Sequence, residues 1–252
     1  MKILDSPSGV FIVSFVVLWL SGYLGHFLRG RVRVLQGEKR DDLGVALTAT
    51  LTLLGLLIGF TFAMAISRYD LRKACEENET NAIGTEFLRA DVLPAPDAGQ
   101  LRTLLKAYLE KRVSFYVTRD RSQLTQIAQE RARLQMTMWA LVRATPERPA
   151  NPGTALAMAG MNDVINTQRL TAAAWHNRIP VSAWLLMTAI GICCSLLFGY
   201  RVHKRDWRMF LAMPVAVGIA FLMIADIDSP RAGAVQVAPE NLETLRQFMS
   251  MP

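Results

Sequence analysis

Cysteine is scarce in this chain: three in 252 residues, Cys75 alone and Cys193 beside Cys194. That arrangement offers no disulfide framework and no metal-ligand spacing, and an adjacent pair on a helix points to two different faces. Histidine is as rare, and His26, His176 and His203 are scattered with no Cys or acidic neighbour at ligand spacing. There is no phosphate loop, no His-Glu-x-x-His and no Gly-x-Ser-x-Gly. A hydrolase working within a membrane needs polar groups at depth, and the apolar runs offer only scattered Ser and Thr. No catalytic residue, cofactor or metal site is therefore expected, and the reading is of a protein that is not an enzyme. A strand pattern of convincing length is also missing, which leaves an all-α fold.

Charge is absent where it matters most. Residues 9–28, 43–66, 179–200 and 209–225 contain no Asp, Glu, Lys or Arg, in a chain that is 52% apolar. Crossing a hydrocarbon core takes about 20 helical residues, so three of these runs suffice by length. The fourth is shorter and gains interfacial anchors in Trp207 and Arg208. Four transmembrane helices are expected. The first is too long for a signal core, and Gly22-Tyr23-Leu24-Gly25 is no cleavage site, so it belongs to the mature protein.

The net charge of +7 falls largely in two short loops. Loop 29–42 carries Arg29, Arg31, Arg33, Lys39 and Arg40, and loop 201–208 carries Arg201, Lys204, Arg205 and Arg208. If all four spans cross, these loops share one side, and the positive-inside rule makes that side cytoplasmic, in the plasma (inner) membrane of a bacterium. Their partners are the anionic headgroups of the lipid bilayer, and no nucleic-acid role follows. His26 and His203, near span ends on the basic side, fit headgroup contact.

Between the second and third spans lie residues 67–178, of different composition. The second span reads on as unbroken helix to Val92, and the two prolines of "LPAPD" then bar continuation. Asp97 is placed to cap a second helix and Ser122 a third, with apolar residues recurring at helical spacing in both. After the proline-rich loop Thr145 to Gly153, a fourth helix runs into the third span at Pro180. The expected organisation is residues 1–66 with two spans, 67–178 as an extramembrane helical bundle, 179–228 with two spans, and 229–252 as a tail. Spans 2 and 3 are continuous with the long extramembrane helices. The tail shows weak strand character at "AVQV" and an amphipathic run from Leu242 to Phe248.

Along the second span Thr48, Thr52, Gly55, Gly59, Ala63 and Ser67 recur every three or four residues. Gly55 and Gly59 have the spacing of a close helix contact. Packing within the chain is the plainer account; contact with a symmetry mate or a pathway is the sharper one. Beyond the membrane surface the charges of the same helix read as a solvated face with Arg72–Glu76 and Lys73–Glu77 pairs. The uncharged stripe Asn78, Asn81 and Thr85 is the part expected to have a task, as the wall of a wet vestibule or a buried hydrogen-bonding seam.

The segment Gly59 to Pro94, "GFTFAMAISRYDLRKACEENETNAIGTEFLRADVLP", together with "IADIDSPRAG" at Ile224 to Gly233, resembles a bacterial membrane-protein family described as bestrophin-like, of undetermined function. Through it, more distantly, the chain is similar to the bestrophin anion channels. Ser67-Arg68-Tyr69-Asp70 matches their second span, although the tryptophan pair that normally follows is missing. The resemblance implies a homo-oligomer, a pentamer, whose second spans surround an anion-selective pore. Phe60 and Phe62 are then candidates for an apolar neck, with Met64 and Ile66 as further lining. Residues two apart on a helix diverge, so Phe60 and Phe62 cannot both face the axis squarely. The alternative is a non-conducting scaffold or sensor whose helical domain mediates assembly or partner binding. At the exit of the fourth span Asp226 and Asp228 need a partner or water, which Arg231, Arg68 or Arg72 would supply if the second and fourth spans are neighbours. The resemblance offers a calcium site there instead, but two carboxylates fall short of the six to eight oxygens calcium takes. It also implies an orientation opposite to the charge count, and the charge count, which belongs to this chain, is followed.

Overall fold

The computed structural model describes residues 6–31, 38–144, 152–202 and 207–251. Helices make up nearly all of them: α1 (Pro7–Arg31), α2 (Glu38–Arg89), a 3-10 turn (Ala90–Val92), α3 (Ala95–Val117), α4 (Arg121–Ala144), α5 (Pro152–His176), α6 (Val181–Arg201), α7 (Trp207–Asp228) and α8 (Glu240–Ser250). No strand occurs among the described residues, "AVQV" included. Among the described residues, four stretches are long and apolar enough to cross a membrane: Pro7–Arg29, Asp41–Val92, Pro152–Arg201 and Phe210–Asp228. Most of loop Thr145 to Gly153 lies outside the described residues, as do Arg33, His203, Lys204 and Arg205 and the side chains of Trp207 and Arg208.

The second span runs into its extramembrane extension without a break, since α2 is a single helix of 52 residues. No proline interrupts it, and Pro94 and Pro96 mark its end. The third span follows the returning helix α5 after only four non-helical residues, Asn177 to Pro180. Pro180 (φ −57°, ψ 141°) is the N-cap of α6; it lacks an N–H and pushes the preceding residue out of helical geometry.

Two compact units emerge, Met1–Tyr69 with Arg178–Gln236, and Asp70–Asn177 with Val237–Pro252. In the first, α1 packs against α6 and α7, around Leu18, Met187, Cys194, Phe221 and Ile224. Close approach of α1 and α6 depends on glycine. A Cβ on Gly25 would overlap the Leu196 carbonyl, and one on Gly199 would overlap that of Gly22. Trp184 meets Phe221 edge to face at 5.8 Å. Pro214 sits inside α7, where it removes one backbone bond from the ladder. Basic residues of the loops tie helix ends together. Arg29 Nη1 donates to the Val202 carbonyl beyond the end of α6 at 2.6 Å, and Gly44 leaves room for the Arg201 guanidinium. His26 stacks edge to face on Phe210 at 5.5 Å, an aromatic contact within the chain.

In the second unit α3 and α4 form a hairpin, α4 lies against α5, and α8 returns to α3. Leu101, Leu105, Tyr108, Met138, Met161 and Leu242 are buried. The two expected caps are corrected here. Asp97 lies in the first turn of α3, whose N-cap is Pro94. Asp120, not Ser122, closes the start of α4, accepting from Ser122 N at 2.9 Å and Ser122 Oγ at 2.8 Å. A carboxylate one residue before the helix reaches the orphan amides that Ser122, already inside it, cannot.

Candidate pore-lining helix

Helix α2 divides by face into an inner and an outer side. In its membrane-crossing half, Leu47, Leu54, Thr61 and Ala65 are buried, and Leu57, Ile58 and Phe62 pack against the core of the first unit. The opposite face carries Val45, Ala49, Leu53, Leu56, Phe60, Ala63, Met64 and Ser67, all exposed. This separates the two candidate neck residues. Phe60 is 62% exposed, whereas Phe62 is held in the core. Met64 and Ile66 stay exposed as well.

The small-residue stripe is on the outer side too. Thr48, Thr52, Gly55, Gly59, Ala63 and Ser67 are all exposed, and a Cβ on Gly55 or Gly59 would meet nothing within 4 Å. The expectation that the stripe packs within the chain is therefore corrected. The hydroxyls of Thr48 and Thr52 bond the carbonyls of Gly44 and Thr48 at 2.9 Å, so neither needs water. The intramolecular small-residue seam is the α1–α6 contact at Gly22, Gly25 and Gly199.

In the second unit the expected roles of charge and amide reverse. Asn78, Asn81 and Thr85 are exposed, which excludes a seam buried within the chain. Arg72, Glu76, Glu79 and Glu86 are buried, so the solvated-face reading fails for them. With Ile83 and Ala90 they fall at alternating spacings of four and three, the period of a packed helical seam. That periodicity is the signal in the sequence; their charge masked it.

Each buried carboxylate meets a different surrounding. Glu76 accepts from the Leu242 amide at 3.0 Å and Asn241 Nδ2 at 2.7 Å, capping α8 from outside its own sequence. Glu79 accepts from Arg112 Nε and Nη2 and from Thr171 Oγ1 at 3.2 Å. The Arg112 guanidinium lies 4.6 Å from the Phe115 ring centroid. Burial works against the Arg112 charge, and Glu79 more than offsets it, leaving the guanidinium harder to deprotonate than usual. The same burial, reinforced by Glu79, drives the Tyr108 and Tyr116 hydroxyls well above the usual phenol range.

At the end of α7, Asp226 accepts from the amides of Ala234 at 2.7 Å and Val235 at 2.9 Å. Asp228 accepts from Ile179 N at 3.1 Å. The carboxylates are thus engaged by backbone, and Gly233 permits the tight return because a Cβ there would overlap the Asp226 carbonyl. No group of three or more His, Cys, Asp or Glu able to hold a metal occurs among the described residues.

A multi-pass α-helical membrane protein with one long helix presenting a bare face is the class these features define. A bestrophin-like domain matches residues 12–242, and the chain belongs to that family. Its fold is similar to a bacterial bestrophin homolog from Klebsiella pneumoniae, with a TM-score of 0.63 at 13% identity, covering 94% of this chain and 96% of that one. Two substituted forms of that homolog match similarly, with TM-scores of 0.63 and 0.64, at 13% and 12% identity, over 95% of this chain and 95% and 97% of theirs. No curated protein matches the chain.

Proposed function

We propose that the protein is a homo-oligomeric, anion-preferring ion channel in which the outer face of α2 lines the conduit. The observation that carries this reading is that face itself. From Val45 to Ser67 it is apolar or small, uncharged, and uncovered by the chain's own helices. Large contiguous apolar surface of this kind marks lipid or a partner. Gly55 and Gly59 favour a partner helix over lipid, since small residues let backbones approach. In such an assembly Phe60 forms the narrowest ring, able to gate by dewetting, with Met64 and Ile66 beside it. Phe62, fixed in the core, buttresses the ring from behind. Asn78, Asn81 and Thr85 then wet the vestibule beyond. Pairing of Arg68 or Arg231 with Asp226 and Asp228 would lock the span end. Five-fold symmetry, the inner membrane as the site and a cytoplasmic location for the basic loops complete the proposal; a fusion reporter at the C-terminus tests the last.

Chloride flux from liposomes holding the purified protein is the direct test. The channel reading predicts flux that rises when Phe60→Ala widens the ring. Absence of flux for any ion across a range of pH and calcium would favour the scaffold or sensor, whose exposed α2 face serves assembly alone.

A further inference from the structure

Glu86 differs from the other buried carboxylates of α2. Its side chain is fully buried, and neither Oε1 nor Oε2 has a hydrogen-bond partner. Glu76 and Glu79, about three and two turns earlier, are each engaged by donors. The seat of Glu86 is also shaped for it. A Cβ on Gly160 of α5 would overlap Oε2, so the carboxyl lies directly on the backbone of the facing helix. The charged groups acting on it are Arg89, one turn on in α2, and Asp163, one turn on from Gly160 in α5. Those two face each other, Arg89 Nη1 standing 3.8 Å from Asp163 Oδ2. Arg89 therefore divides its attraction between two carboxyls, only one of which is wet.

An ionised carboxylate with no donor in a dry seat is strongly disfavoured, whereas the neutral acid fits. Burial pushes the Glu86 pKa up to about 8, with Arg89 opposing and Asp163 reinforcing the rise. At pH 7 the neutral form then outweighs the charged form about tenfold, and at pH 9 the ratio inverts to about the same extent.

We propose that Glu86 is a proton-binding site between α2 and α5, and that loss of its proton weakens the hold of α5 on α2. On deprotonation the new charge competes with Asp163 for Arg89 and draws water into the seat. The sign follows from linkage. The folded-state pKa lies above the ordinary glutamate value of 4.5, so the stabilisation is complete below about pH 4.5 and is lost as pH rises to about 8.

The test uses the full-length protein in detergent or nanodiscs, and neither readout involves ion flux. Infrared spectroscopy should show a protonated-carboxyl band at pH 7 that disappears with a midpoint near pH 8 and is missing in Glu86→Gln. The midpoint of thermal unfolding should fall between pH 5 and pH 8 in the parent more steeply than in Glu86→Gln, a neutral isostere of the protonated acid. Gly160→Ala crowds the seat and turns the carboxyl toward water, so it should move the titration midpoint down toward the ordinary range; this second variant serves if Glu86→Gln does not fold. The proposal is overturned if the parent shows no such band, if parent and Glu86→Gln have the same pH profile, or if Gly160→Ala leaves the midpoint in place.

Discussion

Arg112 and Glu79 form a two-point ion pair inside the helical unit, with Nη2 2.9 Å from Oε2 and both side chains essentially inaccessible to solvent. Thr171 supplies a further donor to the same carboxylate, from α5. Three helices, α2, α3 and α5, thus meet at one charge-balanced point.

Removing one partner leaves an uncompensated buried charge. Glu79→Gln or Arg112→Met alone should destabilise the protein by about 3–5 kcal/mol. Replacing both with apolar residues of similar volume should recover much of the loss. Chemical unfolding of the single and double variants measures the difference.

Glu76 holds the start of α8 through the Leu242 amide and Asn241. Glu76→Ala leaves those donors unsatisfied, at a cost of about 1–3 kcal/mol. Because α8 is only 11 residues long, it has little stability of its own. The tail should become sensitive to limited proteolysis in Glu76→Ala while α3 and α4 stay protected.

The glycines divide into two groups with opposite expectations. Gly25→Ala or Gly199→Ala forces α1 and α6 apart, because the added methyl meets backbone carbonyls that cannot turn away. Overpacking of this kind costs about 1–3 kcal/mol, and thermal unfolding should show it. Gly55→Ala and Gly59→Ala touch nothing in the chain and should not lower the unfolding midpoint, since alanine is the better helix former. On the assembly proposed above, Gly59→Leu should instead reduce the oligomer recovered in mild detergent.

Much of the fold was legible because membrane spans announce themselves by absent charge, and a helix without proline continues. The course of α2 and the four spans followed from those two rules. The working residues were harder to place. Gly22 and Gly25 form the helix contact between α1 and α6, yet a one-chain pattern does not show which neighbour a glycine faces. Glutamate is usually wet, which hides Glu76, Glu79 and Glu86; their spacing with Ile83 and Ala90 points inward. Phe60 and Phe62 could be ruled out as a joint ring from helical geometry, but which of them faces outward depended on the packing of α2 against the first unit's core.

That last distinction gives the most direct test. In a chain with its native cysteines replaced, Phe60→Cys and Phe62→Cys are treated in native membranes with a short bifunctional thiol reagent, and products are resolved by mass. Covalent links between copies are expected at position 60 and none at position 62. Equal linking at both positions, or none at 60, would contradict a shared axis lined by α2.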